Sequence, residues 1–249
     1  MSSFPPPGFL FGYWQDCFHL KAHLQDFLQI DAPTLKARLA EGQAALAKLG
    51  RHDFDWDRAT EFYRDQVGAA HLFDLGAWHL TSQEYIGDTL QLVATFAQGK
   101  VLDFGGGIGT HAIAAALCPN VDQVIYCDIN PMNRDFVAKR VADLGLGDKV
   151  QCVLEVPENT IFDTVICFDV LEHLPDPSQQ LLQFHQLLNP AGKMILNWYF
   201  FKGLNQEFPF HLDDPKLMAE FFQVLRTNFQ EVFHPYFITA RCYGRVSVT

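Results

Sequence analysis

Long apolar runs are missing from this chain of 249 residues. Nothing in it approaches the roughly 20 consecutive apolar residues that cross a bilayer. The Pro-rich start, Met1 to Trp14, lacks the basic segment and apolar core of a signal peptide. The expectation is a cytoplasmic protein with no membrane insertion. Basic residues are also scarce, with 18 Lys and Arg against 29 Asp and Glu, a formal charge of −11. A nucleic-acid footprint needs clustered cations to neutralise phosphates, and no such cluster occurs, so nucleic acid is not an expected partner. The six cysteines form no CxxC pair, which removes zinc ribbons and dithiol redox motifs and leaves reduced thiols that pack as small hydrophobes. Among ten histidines, the nearest approaches to ligand spacing are His52–Asp53, His71 with Asp74, and His211 with Asp213. None resembles a known metal cage, so no required metal is expected.

What remains is an ordinary globular composition, 49% hydrophobic and 19% charged. The pattern is helical before Gly99 and alternates strand with helix after it. Apolar residues near helical spacing run from Trp14 to Ile30, and Asp31 followed by Pro33 opens a helix over Thr34 to Leu49. Asp53 to Val67 reads as another helix. Thr81 and Glu84 have capping-box spacing for a helix from Ser82 to Ala97. Beyond Lys100, strands at Val101–Phe104, Gln123–Cys127, Val150–Leu154, Thr164–Phe168 and Lys193–Trp198 alternate with helices at Thr110–Leu117, Pro131–Leu144 and Pro177–Leu188. A helix over Pro215–Asn228 and two strands between Val232 and Val248 complete the chain. Buried strands alternating with helices predict a doubly wound, Rossmann-like α/β sheet, with a helical region over residues 1–81 ahead of the domain over residues 82–249.

The most informative segment is VLDFGGGIGT over residues 101–110. A strand running into close-spaced glycines and then a helix lets backbone approach a ligand where side chains would collide. Gly107, Gly109 and Ala112 satisfy the looser dinucleotide pattern GxGxxA. Asp103 redirects that reading. Two unit charges about 4 Å apart interact by roughly 1 to 4 kcal/mol at effective dielectrics of 80 to 20, so this carboxylate repels a pyrophosphate and favours a cationic ligand. S-adenosylmethionine, with an ammonium and a sulfonium, is such a ligand; the plainer alternative is that Asp103 only caps the turn. Asp128 ends the second strand about 20 positions past the turn, where an acidic residue holds ribose hydroxyls, or else caps the helix that begins near Pro131. Ile129 offers an apolar surface to adenine.

Taken together, VLDFGGGIGT, Tyr126-Cys-Asp-Ile-Asn130, the run from Phe162 to Leu174, and Leu188 through the Ala191-Gly192-Lys193 turn to Leu196 resemble the successive motifs of class I S-adenosylmethionine-dependent methyltransferases of the small-molecule type. The resemblance covers roughly Ser82 to Thr249, in the family's order and spacing. It implies a seven-stranded, mostly parallel sheet with the last strand antiparallel. It also implies cofactor contacts from Asp103, Gly105, Gly107, Asp128 and the backbone around Phe168 and Asp169, and Gly109 of the same glycine turn is expected beside them. The chain departs from the pattern after the third strand, where the family often has an acidic residue facing the adenine amino group. Here the segment is VQCVLEVP, with Glu155 near that position but not at it.

Methyl transfer from a sulfonium is an in-line displacement in which orientation supplies much of the acceleration. A base is needed only where the acceptor loses a proton. His173, just past the fourth strand, is the expected general base, the alternative being that the Glu172–His173 pair merely organises the pocket. Trp78 and Trp198 are expected as aromatic walls, Trp78 against the sulfonium. The expected partner is a small-molecule methyl acceptor, with oxygen, nitrogen or carbon equally open. A non-catalytic cofactor-binding protein and an NAD(P)-dependent oxidoreductase are the competing readings.

Overall fold

The computed structural model describes residues 8–50, 56–234 and 240–246. Seven strands form one sheet: β1 Gly99–Phe104, β2 Val121–Cys127, β3 Val150–Val153, β4 Phe162–Cys167, β5 Leu188–Leu196, β6 Phe229–Val232 and β7 Arg241–Arg245. Their order is β3-β2-β1-β4-β5-β7-β6. β1 pairs in parallel with β2 and β4, and β7 runs antiparallel to both β5 and β6. The expected sheet, with its last strand reversed, is the one observed. The strand order reverses between β1 and β4, and crevices of such sheets open there at the carboxyl ends of the strands.

Local chemistry explains the helix starts. α3 (Ala32–Gly50), α8 (Pro131–Asp143), α9 (Pro177–Leu187) and α10 (Pro215–Asn228) each follow an Asp or Asn with a proline at the first or second helical position. The side chains of Asp31, Asn130, Asp176 and Asp214 accept amide protons of the first turn, and proline there forfeits only a donor that has no helical partner. Asn130, not Asp128, is therefore the cap of α8. The alanine-rich α7 (Thr110–Leu117) buries Ala112, Ala114, Ala115 and Ala116, so its axis can approach the sheet closely.

The N-terminal half departs from expectation in three places. The single apolar run from Trp14 to Ile30 is two helices, α1 (Phe11–Asp16) and α2 (Leu20–Leu28), separated by Cys17, Phe18 and His19, all with positive φ. Asp16 accepts the His19 amide proton, and the fully buried Arg140 donates to the Cys17 and Phe18 carbonyls at 3.0 and 3.1 Å. The apolar periodicity continues through the break because what holds the break is a residue far along the chain. The helix expected over Asp53–Val67 begins outside the described residues. Within them it is a short turn at 56–58, then α4 (Ala59–Glu61), then a π-helical turn over Phe62–Gln66. The capping box at Thr81 and Glu84 does not form. Thr81 instead ends α5 (Gly68–Thr81), its hydroxyl donating back to the Ala77 carbonyl, and α6 (Gln83–Phe96) starts with no side-chain cap.

Arg140 also donates to the Ile108 carbonyl at 2.5 Å, which ties α1 and α2 to the glycine turn. Burial lowers its pKa to about 10, with Asp16 among the groups that oppose the fall. Arg140→Met leaves three buried carbonyls without this donor, and the expected loss of unfolding free energy is about 3 kcal/mol. A denaturant midpoint that falls at unchanged slope is the check.

Candidate active site

The carboxyl edge of β1 carries Asp103 and the turn Gly105-Gly106-Gly107. Gly107 has φ +52, and its backbone is gripped on both sides: the amide donates to Asp128 at 2.9 Å, and the carbonyl accepts from the Tyr126 hydroxyl at 2.6 Å. Gly106 has a different requirement. A Cβ there would lie 2.6 Å from Asp103 Oδ2 and 2.6 Å from the Tyr126 ring. Gly105 donates its amide to the Cys127 carbonyl, and Gly109 stands at the entry of α7. Sequence reasoning names the other three glycines and misses Gly106, since the need for it comes from two side chains that close over it in space.

Asp128 accepts three hydrogen bonds, from the amides of Gly107 and Asn130 and from Asn133 Nδ2. It thereby joins β1, β2 and α8 at one carboxylate. Ile129 follows it, half-buried, and Glu155 is exposed beyond β3. Asp103 is buried, and its Oδ2 has no partner among the described residues. Burial pushes the Asp103 carboxyl up to about 7, against the Ala112 amide, with Asp128 adding to the rise; burial likewise raises Asp128 to about 6.

A second group lies past β4. Phe168 is buried, its ring 4.5 Å from that of His111 on α7. Asp169 has φ +54 and forms a closed pair with Asn197 at the end of β5: the Asp169 amide donates to Asn197 Oδ1 at 2.6 Å, and Asn197 Nδ2 donates to Asp169 Oδ1 at 2.7 Å. Asn197 Nδ2 also reaches the Tyr85 hydroxyl, and the Tyr85 ring stands 5.9 Å from Trp78, which is 41% exposed. Trp198, expected as a second aromatic wall, is half-buried and packs against the rings of Phe221 and Phe222 on α10.

His173 sits one turn beyond Asp169. Its Nδ1 lies 3.0 Å from the Tyr63 hydroxyl and 3.1 Å from the Phe210 carbonyl. Burial lowers its pKa to about 3, helped by His211, so the ring is neutral near pH 7. Burial raises Glu172 beside it to about 8, with Asp169 contributing. Tyr63 and His71, whose Nδ1 meets Asn133, come from the N-terminal helices; Tyr63 carries no sequence signal, and His71 stands out only by its spacing to Asp74. Leu75 of α5 would meet a Cβ on Gly107 at 2.9 Å, and the Gly68 carbonyl accepts from Asn130 Nδ2. α5 thus lies directly over the glycine turn. Of the three His–Asp spacings that resemble no metal cage, His52–Asp53 lies outside the described residues.

Four acidic groups, Asp103, Asp128, Asp169 and Glu172, are therefore gathered at one sheet edge, each with a raised pKa caused first by burial. An ionised carboxylate without a partner is costly in such a setting. A cationic group with an adenosyl body fits these residues: Asp103 has a buried oxygen without a partner among the described residues, and the missing Cβ of Gly106 leaves room beside it. The strand order, the glycine turn and the acidic residue ending β2 define a class I S-adenosylmethionine-dependent methyltransferase fold. Residues 77–225 match the model of the methyltransferase domain family, and the chain belongs to that family.

Individual relatives are more distant. The ubiquinone biosynthesis O-methyltransferase of Chromobacterium violaceum is 31% identical over 123 residues, covering 48% of this chain and 50% of that one. The tRNA 5-carboxymethoxyuridine methyltransferase of Escherichia coli is 31% identical over 115 residues, 42% of each. The chain spans about half the length of the curated relatives it matches. Among solved structures, an O-methyltransferase family protein from Burkholderia thailandensis superposes with a TM-score of 0.56 at 16% identity, over 84% of this chain and 69% of that one. Mitomycin 7-O-methyltransferase gives 0.55 at 14%, over 93% and 73%. Both share the fold. No helix among the described residues is long and apolar enough to cross a membrane.

Proposed function

We propose that this chain transfers a methyl group from S-adenosylmethionine to a small-molecule acceptor. The observation that carries the reading is the buried, unpartnered oxygen of Asp103 beside the glycine turn. Asp103 would face the cationic end of the cofactor, and Gly105, Gly107 and Gly109 would let it approach. Asp128 has lone pairs left for ribose hydroxyls, Ile129 and Phe168 would flank the adenosyl body, and Asp169 and Trp78 would close the far side. When bound, S-adenosylmethionine supplies an electrophilic methyl group on a good leaving group.

The chain's own part is then orientation and exclusion of water. Residues 1–81 would act as a cap, with Leu75, His71 and Tyr63 laid over the edge that residues 82–249 provide. Tyr199, Phe201 and Phe208 cluster beside His211, with Tyr199 and Phe201 46% and 40% exposed. Such a surface suits a flat or apolar acceptor, and the chain's acidity supports a small molecule over a nucleic acid. His173 would take up an acceptor proton through Nε2. With a pKa of about 3 in the ligand-free protein the ring is neutral near pH 7, the form that can accept a proton. A non-catalytic adenosyl-binding role is the second reading, and methyl transfer from labelled S-adenosylmethionine to any member of a phenol, amine and enol panel excludes it.

The charge arrangement also sets a pH dependence. The cationic ligand binds the ionised form of Asp103, whose pKa is about 7 in the ligand-free protein. Affinity for S-adenosylmethionine is therefore expected to fall by about tenfold from pH 8 to pH 6. Calorimetric titration across that range reads it, and a flat profile contradicts the pairing.

A further inference from the structure

One cluster at this edge is not used in holding the cofactor: Glu172, His173 and His211. One ligand atom from each lies within 4.8 Å of the other two, and the two imidazole rings stand 4.8 Å apart at 83°. Three observations bear on what the cluster binds. First, the Nδ1 of each histidine faces a backbone carbonyl, Phe210 for His173 and Phe201 for His211, both at 3.1 Å. A carbonyl only accepts, so Nδ1 carries the proton in both rings and each Nε2 keeps its lone pair. The Tyr63 hydroxyl is also within reach of the His173 proton. Second, Glu172 is 1% exposed, and its Oε2 has no hydrogen-bond partner among the described residues. Third, the Leu212 amide donates to the Glu172 carbonyl at 2.7 Å, which fixes the stretch of chain carrying His211 against the turn carrying Glu172 and His173.

Two imidazoles held by carbonyls through Nδ1, with lone pairs left on Nε2, are the arrangement by which proteins orient histidine ligands to a metal. A buried carboxylate oxygen without a donor completes the set. The geometry points to a binding site for a divalent transition-metal cation of the zinc class, held by a Glu172 carboxylate oxygen and Nε2 of His173 and His211, with a fourth position open. Imidazole ligands disfavour magnesium and calcium, which take oxygen sets. Ligands of a tetrahedral zinc site stand about 3.4 Å apart for bonds near 2.1 Å, so the ligand atoms, within 4.8 Å of one another, close by up to about 1.4 Å on binding. Spacing in the sequence hides this site, because His211 is brought in by the loop after β5.

The function of such a cation rests on the methyltransferase reading above. Placed at the acceptor end, it would bind an acceptor oxygen and raise its acidity. His173 is then a ligand, and the cation assists the acceptor's deprotonation in its place. The cluster's ability to bind metal does not depend on that reading and is tested separately.

Cobalt(II) is the probe. Titrated into the reduced, metal-free full-length protein, it is expected to give visible d–d bands of a nitrogen–oxygen site, saturating at a single equivalent. His211→Ala should weaken binding at least tenfold. Glu172→Gln should do the same, and it serves as the test where circular dichroism shows the first variant unfolded. Absence of d–d bands in the unsubstituted protein overturns the site. So do thiolate charge-transfer bands that persist in the variants, which place the metal on cysteines. S-adenosylhomocysteine is titrated into the same samples: cobalt binding without adenosyl binding removes the methyltransferase reading and leaves the metal site, and the reverse result removes the site alone.

Discussion

Asp103→Asn is expected to make the ligand-free protein more stable and to remove cofactor binding in the same step. The carboxyl of Asp103 titrates at about 7 in the folded chain and near 3.8 when unfolded. The folded state therefore holds its proton over a range where the unfolded state has lost it. Stability consequently declines as pH rises from about 4 to about 7 and stays reduced above that. A displacement of that size corresponds to about 4 kcal/mol at full weight, so an amide of the same shape should add about 2 to 4 kcal/mol at pH 8 and little at pH 4. Affinity for S-adenosylmethionine should fall by about 100-fold. The opposite signs matter. A residue that only capped the turn would lose stability on substitution, whereas one kept for a cationic ligand gains it. Thermal unfolding at pH 5 and pH 8, with and without S-adenosylhomocysteine, separates the two.

Asp128→Ala is expected to be damaging on both counts. The substitution removes the acceptor for the Gly107 and Asn130 amides and for Asn133. A buried donor left without a partner costs about 1 to 3 kcal/mol. The Gly107 backbone also loses one of its two holds, the Tyr126 hydroxyl remaining, so the loss of adenosyl affinity should exceed that from the ribose contact alone, reaching about 100- to 1,000-fold. Unfolding and titration measured on one preparation check both parts. Retained affinity in a destabilised variant would confine Asp128 to the turn.

These two aspartates are legible in the sequence because their signals are local. A strand, a run of glycines and a helix start occupy ten consecutive positions, VLDFGGGIGT, and the second carboxylate closes the next strand. The same holds for the Asp-Pro and Asn-Pro helix starts, where the cap and the helix it serves are neighbours. Contacts between distant segments leave no such trace. Nothing near Cys17 announces that Arg140 will hold its carbonyl, and nothing near Tyr63 announces His173. The glycine at position 68 and the lack of any cap hide α5, and Thr81, which has the spacing of a helix start, ends one. Asn197 stands within an aromatic run whose rings carry the stronger signal, while its amide is the group that fixes Asp169. Local periodicity reports which face of an element is buried, but not which remote side chain completes a site on it.

The most direct test of the account is calorimetric titration of the purified protein with S-adenosylhomocysteine, with NAD(H) and NADP(H) run in parallel. Saturable binding of the adenosyl ligand that weakens as the pH falls through 7, with no heat from the nicotinamides, is the predicted result. A folded sample that binds no adenosyl ligand, or binds a nicotinamide in its place, contradicts the assignment of the glycine turn and Asp103 to S-adenosylmethionine.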